Sequence, residues 1–150
     1  MNPAGDPNAL AAKFQAAVEE DGRRKTQPRQ CIAARLAELS ASGQDFCVEA
    51  LWSDLRRANP RLGRATVFRA VETLVSLGLL DRIEFADGSH TYRACQAGHH
   101  HHLTCRKCHR IVDVALCVSP QSLDEIGKTT GFDITGHSMV LFGICPECRE

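Results

Sequence analysis

The sequence of 150 residues predicts an α+β protein in two parts, a helical first half and a smaller mixed second half. Three observations support this prediction. Apolar residues recur at helical spacing through the first half, a hairpin pattern around Asp87-Gly88 follows, and most of the residues that typically bind metals come afterwards. All seven histidines fall between His90 and His137. Because two small domains have little core each, a bound metal or a partner chain would help to stabilise them.

Four helices are predicted in the first half from apolar residues spaced three or four apart. Pro28 suits the first turn of the second helix, Asn59-Pro60 breaks the third, and Gly78 suits the C-terminal cap of the fourth. The predicted helices cover residues 9–20, 28–40, 48–58 and 64–77.

Two short extended runs, residues 79–85 and 90–94, flank the Asp87-Gly88 pair, which is typical of a tight β-hairpin turn. Three helices followed by such a hairpin describe a winged helix-turn-helix, with residues 9–20 as an extra helix in front. The last helix of this arrangement is the natural reader of a DNA major groove. Residues 23–69 contain ten basic and four acidic side chains, which suits either a phosphate backbone or a solvated helical face.

The rest of the chain predicts a small α/β unit. Residues 110–115 alternate like a strand, residues 119–130 indicate a helix capped by Ser119, and residues 134–144 indicate strands. We therefore predict a flexible tail over residues 1–8, a winged-helix DNA-binding domain over 9–94, a hinge over 95–98 and a metal-binding domain over 99–150.

Eight cysteines are many for a chain of this size. The sequence has no recognisable signal peptide or transmembrane stretch, so we expect a cytoplasmic protein whose thiols stay reduced. Metal binding then explains Cys105-x-x-Cys108 and Cys145-x-x-Cys148 best, because two such pairs close a tetrahedral site for a structural zinc ion. A redox role for a single pair would need a βαβ context, which the sequence lacks.

A run of four histidines, residues 99–102, precedes the first cysteine pair. If this run is extended, its side chains alternate between two faces. His100 and His102 then share one face, where Cys95 and Asp81 are candidate partners for a zinc ion at the hinge.

The other face of the run presents His99 and His101, and His137 is a candidate partner there for a further metal site. The alternatives at this point are that Asp81 is a surface carboxylate, Cys95 a small buried side chain and His137 a hydrogen-bonded core histidine.

Several segments resemble those of the ferric uptake regulator (Fur) family. Ala65-Thr-Val-Phe-Arg-Ala-Val71 resembles the recognition helix of that family, and residues 99–108 resemble its histidine-rich segment with the first cysteine pair. Residues 131–137 and 141–148 resemble its closing motifs. The resemblance covers residues 9–148 and implies a homodimeric winged-helix repressor that binds DNA when its regulatory metal is bound. It also implies that residues 99–150 form the dimerisation domain.

One group of residues resembles the zinc-sensing branch of this family, in which an aspartate and a linker cysteine accompany two alternating histidines. The matching residues are Asp81, Cys95, His100 and His102.

Two departures from the family pattern bear on the predicted binding sites. Phe68 replaces a tyrosine in the recognition helix, so it lacks a hydroxyl but could still meet a thymine methyl group. Pro120 occupies the position from which the family supplies a carboxylate to the second histidine site. A site made of His99, His101 and His137 would then need Cys117 or a water molecule as its remaining ligand.

The sequence therefore predicts a zinc-responsive repressor of metal-uptake genes that binds operator DNA as a zinc-loaded dimer. An iron- or peroxide-sensing repressor, with iron(II) or manganese at the regulatory site, is the alternative within the family. A zinc enzyme is the alternative from another class, but the four-cysteine set leaves no open position and the H-x-E signature of zinc deaminases is missing. We predict no catalytic residue, no small-molecule substrate and no membrane partner. The predicted DNA contacts are Arg23, Arg24, Lys25, Arg64, Ala65, Thr66, Phe68 and Arg69.

Overall fold

The computed structural model describes residues 7–20, 26–94 and 100–149, and these form two compact units. The first unit contains the described residues up to Ile83 together with residues 90–94. The second contains Glu84–Ser89 and residues 100–149. The predicted hinge at residues 95–98 lies outside the described residues, so the proposed domain boundary stays a prediction.

Four helices form most of the first unit, as predicted. Pro28 lies in the first turn of the second helix, where its missing N–H costs nothing. The third helix ends at Ala58, with Asn59 as its C-terminal cap, and Gly78 follows the fourth with φ of +67°, a conformation that glycine adopts without strain. The helices are α1 (Pro7–Glu20), α2 (Gln27–Ala41), α3 (Val48–Ala58) and α4 (Arg64–Ser76).

The core of the first unit lies between α4 and the helices before it. Val67, Val71 and Leu74 of α4 are fully buried and belong to one apolar cluster with Phe14 and Leu36. Burying each such side chain stabilises the fold by about 1.5–3 kcal/mol relative to exposure. The opposite side of α4 stays in solvent, so packing leaves one face of this helix available for contacts.

A two-stranded hairpin follows, with β1 at Leu80–Glu84 and β2 at His90–Ala94. The N–H of Phe85 donates to the carbonyl of Ser89 at 2.8 Å, and Gly88 takes a φ of +83° in the turn. β2 also pairs with the loop before α3, because Phe46 and Tyr92 exchange two backbone hydrogen bonds of 2.8 and 3.0 Å. The predicted winged helix-turn-helix is therefore present, and its hairpin is anchored to the helices.

The second unit contains a three-stranded sheet and one helix. Its elements are β3 (His101–Cys105), β4 (Ile111–Val114), α5 (Pro120–Thr130) and β5 (Val140–Gly143). β3 lies in the middle, antiparallel to β4 and parallel to β5. The prediction of strands over residues 134–144 was too long, because Thr135-Gly136-His137-Ser138 has weak strand propensity and only Val140–Gly143 pairs.

Helix α5 has well-formed ends and an unburied surface. The Ser119 hydroxyl accepts from the N–H of Ser122 at 3.2 Å, as the predicted cap requires, and Gly131 ends the helix with a φ of +76°. None of the eleven residues of α5 is buried by the described part of the chain.

None of the described helices combines the length and apolarity that a membrane crossing needs.

Candidate metal centres and DNA-facing helix

The two cysteine pairs meet at one edge of the sheet in the second unit. Cys105 is the last residue of β3, and Cys145 follows β5 by two residues. Because β3 and β5 are parallel neighbours, their carboxyl ends lie side by side. The turn after β3 then brings in Cys108, and a short 3-10 turn at Pro146–Cys148 brings in Cys148.

The geometry of this cluster fits a zinc ion. The four sulfur atoms all lie within 4.8 Å of one another, and Cys108 Sγ is 3.6 Å from Cys145 Sγ. Four thiolates bound to tetrahedral zinc at about 2.3 Å have sulfur atoms about 3.8 Å apart. All four positions are then filled by protein, so the cluster suits a structural role.

Hydrogen bonds and burial give the thiols of this cluster different pKa values. Backbone N–H groups, including those of Cys108 and Cys145, lower the pKa of the Cys105 thiol to about 6. Burial, together with hydrogen bonds to neighbouring thiols, raises the pKa of Cys145 to about 12. A metal ion must displace the protons that remain, so metal affinity at this cluster falls as the pH falls.

Two side chains near the first cysteine pair contact the 3-10 turn that contains Cys148. Lys107 Nζ donates to the carbonyl of Cys148 at 2.8 Å. Arg110 donates to both carboxylate oxygens of Glu147 at 2.6 Å and holds the pKa of Glu147 at about 2. Both contacts join residues about 40 positions apart, so they hold together the same two segments as the four cysteines.

The histidine run alternates as expected for an extended chain. The His100 and His102 rings are neighbours, with centroids 4.9 Å apart. His102 is buried, and its Nδ1 lies 3.2 Å from Asp113 Oδ1 on the adjacent strand. Such a carboxylate orients an imidazole and fixes which nitrogen is available to a metal.

His101 points away from this pair and meets two side chains from later loops. Its Nε2 lies 3.3 Å from Nε2 of His137, and His137 Nε2 lies 3.0 Å from Cys117 Sγ. His101 is 1% exposed, whereas Cys117 is exposed. His99, the fourth residue assigned to this site, lies outside the described residues.

The hinge set is described only in part. Asp81 is a partly buried residue of β1 in the first unit, and His100 and His102 belong to the second unit. Cys95 lies outside the described residues. The four-ligand hinge site therefore stays a prediction.

Helix α4 presents the predicted contact residues on its solvent side. Ala65, Phe68 and Arg69 are exposed, and Thr66 is partly buried. Arg64 forms an exposed bidentate ion pair with Glu49 of α3, in which its Nε donates at 2.8 Å.

A groove beside this face is lined by the start of α2 and by α4, a feature that sequence patterns did not reveal. Its lining residues are Thr26, Pro28, Arg29, Thr66, Arg69, Ala70 and Thr73. The predicted contacts Arg23, Arg24 and Lys25 lie outside the described residues.

A sequence profile described as the ferric uptake regulator family matches residues 20–142. The chain belongs to the ferric uptake regulator family. It is similar to a ferric uptake regulation protein of Campylobacter jejuni, with 28% identity over 95% of this chain and 90% of the relative. It is similar to a zinc uptake regulation protein of Mycobacterium tuberculosis, with 33% identity over 86% of this chain and 97% of the relative. The crystal structure of the Vibrio cholerae ferric uptake regulator superposes with a TM-score of 0.62 at 28% identity, covering 87% and 98% of the two chains.

This Fur-family chain is thus a metal-responsive transcriptional regulator, and the family consists of regulators rather than enzymes. The family model and the relatives confirm the resemblance drawn from the motifs. The relatives include both iron-type and zinc-type regulators, so the sensed metal has to be argued from the residues of this chain.

Two cysteines of this Fur-family chain lie away from the metal-type clusters. Cys31 is partly buried and packs against the core of the first unit. Cys47 is exposed, and its Sγ accepts a hydrogen bond from the N–H of Ala50 at 3.4 Å. Cys47 acts as the N-cap of α3, a position where serine is the more common residue.

Proposed function

We propose that this regulator is a zinc-responsive repressor that binds operator DNA as a dimer and controls zinc-uptake genes. The observation that carries the choice of zinc is the donor set predicted for the hinge, a thiol, two imidazoles and one carboxylate. Thiolate and imidazole ligands favour zinc, whereas oxygen-rich sets favour harder ions. The donors are Asp81, Cys95, His100 and His102.

The geometry around the histidine run supports this proposal. His100 and His102 are neighbouring rings on one side of the run, and Asp113 orients the imidazole of His102. The similarity to a zinc uptake regulation protein over 86% of the chain also supports it. An iron-type sensor is the second candidate, since a ferric uptake regulation protein matches 95% of the chain.

The proposed mechanism couples metal binding to the arrangement of the DNA-binding units. A bound zinc ion would supply a link between residues of the first unit and residues of the second. Asp81 and Cys95 would hold it from the first unit and the linker, and His100 and His102 from the second. By favouring one arrangement among several, the four residues would set the distance between two recognition helices. Two-fold operators require that distance to be about 34 Å.

The second unit also has the surface that a dimer would need. Leu103 is paired with Val112 on one side and Leu141 on the other, so the three form a row across one face of the sheet. All three side chains are more than a third exposed, and Ile126 of α5 and Phe132 are half exposed or more. A row of exposed apolar side chains across a sheet is typical of an interface, and a second copy of the chain is the occupant that family membership favours.

The exposed side of α4 supplies the proposed DNA contacts. Phe68 offers an apolar ring to a thymine methyl group, and Arg69 offers a fork of donors to a guanine edge or a phosphate. Ala65 and Thr66 sit at the start of the helix, which is the part that enters the major groove in this architecture. Arg64 would exchange its contact with Glu49 for a phosphate, and Arg23, Arg24 and Lys25 would add backbone contacts.

The test is metal content and DNA binding of protein equilibrated anaerobically with buffered zinc, iron(II) or manganese(II). DNA fragments selected from a random pool in the presence of zinc serve as probes. We expect the wild type to need zinc for binding, and Cys95→Ala and His100→Ala each to lose one zinc per chain together with DNA binding. Cys47→Ser is the matched control and should behave like the wild type. If iron(II) fills the hinge site, or if Cys95→Ala binds zinc and DNA normally, the zinc assignment is wrong.

A further inference from the structure

The turn of the hairpin contacts the loop that follows the first cysteine pair. This turn, Glu84–Ser89, belongs to the second compact unit, whereas the rest of the hairpin belongs to the first. The ring of Phe85 stacks on the ring of His109, with centroids 4.3 Å apart and an angle of 11° between the two planes. His109 Nε2 also lies 3.4 Å from Asp87 Oδ2. Both contacts join residues more than 20 positions apart, so the local chain geometry does not enforce them.

The backbone of His109 has a conformation that is uncommon for its residue type. Its φ is +60°, and it is the one residue other than glycine with a positive φ among those that the structure describes. The N–H of His109 donates to the carbonyl of Cys105 at 3.0 Å, so the conformation belongs to the turn after the cysteine pair. Glycine adopts this region without strain, and another residue persists there only where its surroundings favour it. The contacts of the imidazole ring are the surroundings that favour a histidine here.

The hairpin turn presents its own two partners in fixed positions. The Asp87 carboxylate accepts from the hydroxyl of Ser89 at 2.6 Å and from its N–H at 2.9 Å. These hydrogen bonds keep the pKa of Asp87 below its usual value, so its side chain is a carboxylate at neutral pH. Phe85 is partly buried, and its N–H donates to the carbonyl of Ser89 at 2.8 Å. One ring and one carboxylate therefore face the imidazole of His109 from a closed turn.

We propose that His109 is a positioning residue for the hairpin, whose turn it holds against the loop after the first cysteine pair. The stack with Phe85 sets the place of the turn, and Asp87 sets the orientation of the imidazole. The hairpin is the wing of the winged helix, so the effect on DNA binding rests on the proposed function. A turn that is already held in place loses less conformational freedom when the protein binds DNA. His109 thereby contributes to DNA affinity through the hairpin.

Variants on both sides of the contact test this role. His109→Gly removes the ring and suits the left-handed backbone, so it should not destabilise the loop that contains it. Phe85→Leu removes the other ring but keeps an apolar side chain, and the double variant combines the two changes. Phe85→Tyr is the matched control, because it keeps an aromatic ring at this position.

Hydrogen exchange measured by NMR reports the order of the turn. The reporters are the N–H groups of Phe85 and Gly88, which donate to the carbonyls of Ser89 and Phe85. The second readout is affinity for DNA fragments selected in the presence of zinc. Zinc content and exchange in β3 are measured for every variant, to show that the second unit keeps its fold.

We expect His109→Gly and Phe85→Leu each to lower protection of the turn by about twofold to tenfold, the range expected for one aromatic pair. DNA affinity should fall by a similar factor. The double variant should be no worse than either single variant, since all three lose the same contact. Phe85→Tyr should behave like the wild type, and zinc content and exchange in β3 should stay unchanged in His109→Gly.

Unchanged protection of the turn in His109→Gly and Phe85→Leu would overturn the proposal, and so would additive effects in the double variant. A looser turn with unchanged DNA affinity would overturn the positioning role. A failure of the proposed function is separable from these outcomes. If the wild type binds no DNA, the proposed function is wrong, while exchange at the turn still decides whether His109 holds the hairpin.

Discussion

In the first unit, the interior consists of aliphatic and aromatic side chains, such as Leu74, Val71 and Tyr92, contributed by four helices and a hairpin. In the second unit, the buried side chains among the described residues are His101, His102, Thr104 and Cys105. The first unit therefore obtains its stability from apolar burial. The second unit buries few apolar side chains, so we expect a bound metal and a partner chain to contribute to its stability.

The largest expected difference in stability between the two units follows removal of zinc from the four-cysteine cluster. Cys105→Ser, or a chelator, should unfold the second unit, because structural zinc in small domains contributes apparent free energies of about 10–16 kcal/mol. Hydrogen exchange should show that β3, β4 and β5 lose protection while α2, α3 and α4 keep it. Cys47→Ser should leave both patterns unchanged. Loss of protection in α4 as well would mean that the two units fold as one.

The reverse experiment targets the apolar core. Leu74→Ala removes a fully buried side chain from α4 and should lower the free energy of unfolding of the first unit by about 2–5 kcal/mol. Denaturant titration followed by the fluorescence of Trp52, the single tryptophan, measures this value. Leu77→Ala is the control, since Leu77 is 52% exposed and should change the value by less than about 0.5 kcal/mol. Equal effects of the two variants would contradict the position of the core.

A charge on the sheet of the second unit tests the proposed dimer. Leu103→Asp should raise the dimer dissociation constant by at least about tenfold, because a carboxylate buried at an interface loses its hydration. Analytical ultracentrifugation at several protein concentrations measures the constant. Leu77→Asp places the same charge on an exposed leucine of the first unit and should leave the constant unchanged. A Leu103→Asp protein that is still dimeric would assign the interface to another surface.

The smallest expected effect compares two buried threonines. Among the described residues, Thr104 Oγ1 in the second unit is buried without a hydrogen-bond partner, whereas Thr91 Oγ1 in the first donates to the carbonyl of Phe46 at 3.0 Å. Thr104→Val should therefore raise the free energy of unfolding of the second unit by about 1 kcal/mol, and Thr91→Val should lower that of the first by a similar amount. Thermal unfolding of the zinc-loaded proteins measures both. Destabilisation by Thr104→Val would indicate that a water molecule satisfies its hydroxyl.

Local patterns predicted much of this structure because they are fixed by neighbours in sequence. Val48–Ala58 forms a helix as its apolar spacing indicated, Ser119 caps α5, and the alternation of the histidine run separates His101 from His102. The parallel pairing of β3 and β5 gave no sequence signal, yet it is what brings the two cysteine pairs together.

Features that depend on distant residues were missed or only suggested. The pairing of Phe46 with Tyr92 joins positions 46 residues apart and follows no periodicity. Cys117 was named only as one possible ligand, because its distance to His137 depends on how two loops fold. The assignment of the hinge ligands is still based on the sequence alone, since Cys95 lies outside the described residues.

The parallel arrangement of β3 and β5 also has a consequence for timing. β3 ends at Cys105 and β5 begins at Val140, so the central strand waits for about 35 further residues before its parallel neighbour exists. At about 5–20 residues per second, ribosomal synthesis imposes a delay of roughly two to seven seconds. During that interval the first unit can already fold, while Cys105 and Cys108 wait for the second pair. Zinc can therefore be bound by all four thiolates only after this delay, when Cys145 and Cys148 have been made.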